Sequence, residues 1–311
     1  MLSALRFHYR RHRGIREAGR GLSAPTPAER ALIDELRAGC RALPVEPTAG
    51  RTPNAADWAT ATNRLRSLVL HADPRAFLRW DVVIERMAVH GSPITPTELA
   101  LLQARPDWTS RWMRAIRETD AGRPYRYAGY PPSSEPLIQT AYTLSRFESL
   151  CGRPITSWDT IVEFGGGFGS LCRLAHALGF RGRYVIFDLP PFTLLQRYFL
   201  RSAGVMRPDD DRLVLTSDIG ALSASIDALP DGDRALFVAC WSLSETPLAL
   251  RDAVAPLARR IGDHWIAYQE RYGEVDNVEY FATRWLGGPR REERVAHRAA
   301  DRLLVGGAAI G

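Results

Sequence analysis

Lysine is absent from this 311-residue sequence; all 41 basic side chains are arginine. That absence excludes Schiff-base chemistry, a lysine general base and the phosphate-binding lysine of a P-loop. Cysteine is scarce. Cys40, Cys151, Cys172 and Cys240 stand far apart, so neither a disulfide framework nor a cysteine zinc site is legible. Four isolated cysteines suit a reducing, cytoplasmic setting, and Cys172 and Cys240 read as small core residues. No apolar run approaches the ~18 residues that a membrane span requires, no signal-peptide core follows the first residues, and no metal-ligand spacing occurs. What remains is a globular balance of 45% hydrophobic and 24% charged residues. It suffices for one large α/β domain, or for an ordinary domain with a helical extension.

The net charge of +6 is concentrated at one end. Residues 1–20 carry six arginines against Glu17, or +5, which leaves the other 291 residues near neutrality. A basic arm over residues 1–22 reads first as a solvated or partly helical segment. Its interleaved Phe7 and Tyr9 also suit contact with RNA, acidic lipid or a partner protein, and its lack of acids resembles a transit segment. The near-neutral body gives no reason to expect a nucleic-acid ligand. The oligomeric state stays open, a homo-oligomer included.

Residues 23–151 carry helical signals. Thr26-Pro27-Ala28-Glu29 forms a capping box ahead of Leu32, Leu36 and Cys40. Asp73-Pro74 predicts a second helix with Phe77, Trp80, Ile84 and Met87 on one face, stopped by Gly91. Thr95-Pro96-Thr97-Glu98 repeats the capping pattern, 125–132 reads as loop, and a further helix is expected over about 134–151. From residue 160 short β-branched runs alternate with helical stretches. Strands are expected at 160–164, 184–188, 213–217, 235–240 and 265–269, and helices near 170–179, 191–203, 219–228 and 247–261. Such alternation predicts a doubly wound, mostly parallel sheet with helices on both faces. A helix near 277–286 and two short strands complete the expected domain, 152–311.

The sharpest motif is Glu163-Phe164-Gly165-Gly166-Gly167-Phe168-Gly169, a glycine-rich loop between a buried strand and a helix. The dinucleotide pattern G-x-G-x-x-G fails here: its last position, counted from Gly165, is Ser170. Acid-x-G-x-G-x-G fits. The next strand ends in Asp188, 19 residues after Gly169, where a carboxylate can accept hydrogen bonds from ribose hydroxyls of either kind of cofactor. Ser217-Asp218-Ile219 closes the third strand, and Asp218 suits a helix N-cap equally well.

The glycine motif resembles motif I of class I S-adenosylmethionine-dependent methyltransferases. That resemblance implies a Rossmann-like fold and S-adenosylmethionine as cofactor. It implies that Glu163, Gly165, Gly166, Gly167, Gly169, Asp188, Leu189, Ser217, Asp218, Ile219 and Trp241 line the cofactor. Further segments, among them Ser134–Gln139, Phe187–Pro190, Leu195-Gln196, Trp241–Glu245 and Asp276–Phe281, resemble the sugar O-methyltransferase family of bacterial polysaccharide and natural-product clusters. The helical region ahead would then lid or lengthen the acceptor pocket. The acceptor implied is a small molecule, a sugar or a secondary metabolite; the alternatives are an N- or O-methyltransferase acting on a non-sugar scaffold and a cofactor-binding protein without methyl transfer.

Methyl transfer from a sulfonium to a hydroxyl is an in-line displacement, so positioning and a base should dominate. Amine-directed methyltransferases often carry Asp/Asn-Pro-Pro-aromatic after the fourth strand; this chain has Cys240-Trp241-Ser242-Leu243-Ser244-Glu245. Glu245 is the candidate base, with Ser242 or Ser244 orienting the acceptor. The alternative is that Ser244 or Thr246 caps the helix opened by Pro247. Gln269, Asn277 and Tyr280 suit a polyhydroxylated acceptor. His264 reads as structural.

Overall fold

The structure, a computed structural model, describes residue 19 and residues 21–307 apart from 89, 231, 233, 286–289 and 299. The expected basic arm therefore lies outside the described residues except at Gly19, Gly21 and Leu22. No described helix is long and apolar enough to cross a membrane.

Seven strands form one sheet: β1 Thr160–Phe164, β2 Arg183–Phe187, β3 Leu213–Thr216, β4 Ala235–Cys240, β5 Asp263–Gln269, β6 Arg290–Arg294 and β7 Asp301–Gly307. Their order is β6-β7-β5-β4-β1-β2-β3. β1 to β5 run parallel, and β7 enters antiparallel between β5 and β6. This is the doubly wound, mostly parallel, Rossmann-like sheet that the strand–helix alternation predicts. The strands read as nearly continuous apolar runs because both faces are covered. Ile161, Ile186, Val238, Trp265 and Val305 face one core, while Val162, Val185, Phe237, Ile266 and Leu304 face the other.

The connecting helices fall close to the expected spans: α6 Ser170–Ala177, α7 Pro190–Ser202, α8 Ile219–Asp227 and α10 Leu248–Ala258, with a short α9 at Ser242–Glu245. Ahead of the sheet come α1 Pro27–Ala42, α2 Pro53–His71, α3 Asp81–Arg86, α4 Thr95–Gln103 and α5 Glu135–Cys151. The capping box of α1 is formed: Thr26 Oγ1 accepts from the Glu29 N–H at 3.3 Å, and Glu29 accepts from the Thr26 N–H at 2.8 Å. α5 lies on the sheet, where Phe147 stacks on Trp265 with ring centroids 4.7 Å apart. One apolar core runs from Ile33 of α1 to Val305 of β7, so the N-terminal helices pack into the same interior as the sheet.

Three local expectations change. The helix expected after Asp73-Pro74 is broken at Trp80, whose ψ of 143° separates a 3₁₀ turn at Pro74–Arg79 from α3. The break lets Phe77 and Trp80 both bury, and the freed Leu78 N–H finds the Gly122 carbonyl at 3.1 Å. The pattern Thr95–Glu98 makes no side-chain cap, because Glu98 turns inward and is 1% exposed. The expected loop at 125–132 contains a small hairpin that pairs Arg126–Tyr127 with Tyr130–Ser134. At the other end, Asn277–Tyr280 is helical and continues as a wider turn over Phe281–Trp285.

Candidate functional site

The strand order reverses between β1 and β4, and a cavity of about 580 Å³ opens there beyond the carboxyl ends of the parallel strands. Its floor is the glycine loop. Gly165 and Gly167 have φ of +72° and +59°, which L side chains rarely adopt. A Cβ on Gly165 would lie 2.2 Å from Cβ of Ser242, so this backbone is packed directly against the segment after β4. Ser242 lines the cavity, and its hydroxyl donates to the Phe164 carbonyl at 2.5 Å, tying the two loops together.

Asp188 stands at the end of β2 and is held from three sides. Oδ2 accepts from the Gly167 N–H at 3.0 Å and Gln196 Nε2 at 2.8 Å, and Oδ1 accepts from the Leu189 N–H at 2.8 Å. A carboxylate has about four lone-pair sites, so roughly one remains for a ligand hydroxyl. Burial pushes the Asp188 carboxyl up to about 7, against the opposing effect of these hydrogen bonds. Glu163 is 3% exposed, accepts from the Tyr184 hydroxyl at 2.8 Å, and burial likewise pushes it up to about 7. Two carboxyls poised near neutrality beside a bare backbone loop form a polar pocket suited to a cationic, hydroxyl-bearing ligand.

The opposite wall combines both halves of the chain. Glu245 lines the cavity; its Oε1 accepts from Gln269 Nε2 at 2.7 Å and its carbonyl from Asn54 Nδ2 of α2 at 2.6 Å. Burial raises its pKa, Gln269 and Arg86 oppose that, and Asp57 and Asp301 add to it. Trp58, Ile84, Arg86 and Met87 of the N-terminal helices and Gln139 of α5 complete the wall.

Several expected residues stand elsewhere. Gly169, Ser217, Asp218 and Ile219 are not among the residues lining the cavity, Gly169 facing Leu200 instead. Asp218 is exposed and caps α8, its Oδ1 accepting from the Ala221 N–H at 2.7 Å. Ser244, Asn277 and Tyr280 are buried behind the wall. The Ser244 hydroxyl lies 2.6 Å from Gln269 Oε1, Asn277 donates to the Gln269 carbonyl at 2.8 Å, and Arg251 donates to Asn277 Oδ1 at 2.7 Å. The Arg251 guanidinium sits 5.0 Å from the Tyr280 ring centre. These groups fix Gln269, which in turn holds Glu245. His264 is buried at the start of β5, 2.9 Å from the Ala258 carbonyl, and burial lowers its pKa.

Gln196, Arg298 and Asp301 reach the site without having been expected there. Gln196 bonds both Asp188 and the Gly167 carbonyl, the latter at 3.0 Å, and its place eight residues after Asp188, inside the first turns of α7, was the available signal. Asp301, which opens β7, and Arg298 in the turn before it line the cavity. Among the described residues no group of three or more His, Cys, Asp or Glu side chains is arranged to hold a metal ion.

No protein-family model matches the sequence, and no curated protein matches it. Among solved structures, PigF with SAH aligns over 90% of this chain and 96% of its own, at 15% identity and a TM-score of 0.38. The mitomycin 7-O-methyltransferase MmcR aligns over 90% and 98%, at 16% identity and a TM-score of 0.33. An O-methyltransferase family protein from Burkholderia thailandensis aligns over 90% and 92%, at 12% identity and a TM-score of 0.38.

Proposed function

We propose that this chain is an S-adenosylmethionine-dependent methyltransferase acting on a hydroxyl of a small natural-product acceptor, a sugar or a sugar-like group. The observation that carries the reading is the joining of the glycine loop to Asp188 at the switch point of the sheet. The cofactor supplies a methyl group on a sulfonium. Gly165, Gly166 and Gly167 let the main chain approach the ligand without side chains in the way, and Asp188 offers its remaining lone pair to a ribose hydroxyl. Leu189, next to Asp188, and Trp241, next to the Ser242 that packs on Gly165, also line the cavity.

At the acceptor end Glu245 is the base. Gln269 holds Oε1, while Oε2 accepts no hydrogen bond among the described residues and is available to a hydroxyl proton. A carboxyl raised by burial is a better proton acceptor than an exposed one. The segment after β4 lacks the Pro-Pro motif of amine-directed enzymes, which favours oxygen as the acceptor atom. Trp58 gives a sugar ring an apolar face, and Gln139 and Thr143 give it polar contacts.

Glu245→Gln is expected to lower turnover by ~10²–10⁴ while leaving S-adenosylhomocysteine affinity unchanged. Labelled-methyl transfer to a panel of glycosides, phenols and amines measures the first effect and calorimetry the second. Unchanged turnover removes Glu245 from the chemistry, and methylation of amines alone removes the hydroxyl acceptor. A thermal shift with NAD but none with S-adenosylhomocysteine rejects the methyl-donor reading altogether.

The cofactor's affinity should also depend on pH. A protonated Asp188 loses acceptor capacity, so ligand hydroxyls bind best to the ionised form and binding releases a proton. Affinity for S-adenosylhomocysteine therefore rises between about pH 6 and about pH 8, by up to about tenfold in all, and levels off above. Titration calorimetry of the wild type across that range checks it, and a flat profile contradicts the assignment.

A further inference from the structure

Glu98 fails to cap α4 because it points inward, and its partners lead back to the cavity. Glu98 Oε1 accepts from Arg298 Nε at 3.0 Å and Nη2 at 2.8 Å and lies 3.3 Å from His297 Nε2. A carboxylate buried this deeply needs its cation, so Arg298 is held firmly against the N-terminal region. The remaining nitrogen of the guanidinium, Nη1, lies 3.5 Å from Asp301 Oδ2. That same oxygen accepts from the Trp241 indole Nε1 at 3.2 Å. The guanidinium also sits 5.5 Å from the Trp241 ring centre.

Trp241 is the residue that needs holding. Its φ of +60° and ψ of −26° are rarely adopted by a bulky L-residue, and such conformations persist only where the surroundings over-determine them. Two anchors do so: the N–H, which donates to the Ala267 carbonyl at 2.6 Å, and the indole on Asp301. We propose that Arg298 is a positioning residue that, bridging Glu98 and Asp301, locks Trp241 in the cavity wall beside Ser242 and the glycine loop it packs on, so that α4 of the N-terminal region sets cofactor affinity. This rests on the methyl-donor reading of the cavity. The bridge needs a planar fork serving two carboxylates at once, which a lysine ammonium does not reproduce.

The test is S-adenosylhomocysteine affinity, measured by calorimetry on the full chain. The variants are Arg298→Lys, the pair Glu98→Gln with Arg298→Met, and Trp241→Phe. The pair leaves no unpaired carboxylate at position 98, and Trp241→Phe removes the indole N–H without touching an ion pair. Each is expected to weaken binding by roughly tenfold, and adding the pair to Trp241→Phe is expected to weaken it no further, since both act through one contact. Near-ultraviolet circular dichroism should show the Trp241 band weakened in the two arginine variants and no further change when the pair is added to Trp241→Phe, which has no indole there. A merely structural role would lower Tm while affinity stays within about twofold of the wild type, or the losses would multiply in the combination; either result overturns the proposal. Wild-type protein that fails to bind S-adenosylhomocysteine instead rejects the methyl-donor reading.

Discussion

Asp188→Ala is expected to weaken S-adenosylhomocysteine binding by roughly 10- to 100-fold, the scale of a lost hydrogen bond to a charged group. The loss has two parts. The ligand's hydroxyl loses its acceptor, and the Gly167 N–H, the Leu189 N–H and the Gln196 amide lose theirs. The two backbone donors then face the cavity with only water to satisfy them, while Gln196 keeps only its bond to the Gly167 carbonyl. Asp188→Asn keeps one acceptor oxygen but brings an amide into a ring of donors, so its affinity should fall between the wild type and alanine. Calorimetry at a pH above 8, where Asp188 is ionised, gives the cleanest comparison. Affinity within about threefold of the wild type for the alanine variant would place the ribose elsewhere.

Gly165→Ala should be at least as damaging, through stability as well as binding. A left-handed backbone costs an alanine about 1–2 kcal/mol. The added Cβ would sit 2.2 Å from Cβ of Ser242, and overpacking of that kind costs typically about 1–3 kcal/mol more. Relief requires β1 and the segment after β4 to move apart, which breaks the bond from Ser242 to the Phe164 carbonyl and widens the floor of the cavity. Urea unfolding should therefore show a loss of about 2–5 kcal/mol, with cofactor binding lost alongside. Adding Ser242→Gly removes the clash and not the backbone strain, so the double variant should recover part of the stability. A single variant as stable as the wild type would mean that the loop relaxes freely and that its close packing is not needed.

The strand–helix alternation, the glycine loop and the placing of Asp188 could all be read from short segments, because each follows from side-chain period, a cap or a turn within a few residues. The helices of the α/β half fall within a few residues of their expected spans for the same reason. Where neighbours distant in the chain intervene, local pattern misleads. Thr95–Glu98 has the letters of a capping box, yet Arg298, two hundred residues away, turns Glu98 inward. Trp80 has the spacing of a helix face, yet the Gly122 carbonyl and the burial of Phe77 break the helix there.

The candidate acceptor side shows the same division. That Glu245 lines the cavity was legible because the short segment it ends leaves a parallel strand at its carboxyl end. Asn277 and Tyr280 looked equally polar and aromatic in the sequence, but Arg251 gathers them behind the wall, where they support Gln269. Asp301 carries no local mark at all: it faces Trp241 only because β7 returns antiparallel beside β5, setting Asp301 opposite Gln269. Period and capping act over one or two turns of chain and so pick out elements and their order. Which side chains share one cavity depends on how those elements pack, and the packing of α2, α3, α4 and β7 around the switch point is a property of the whole core.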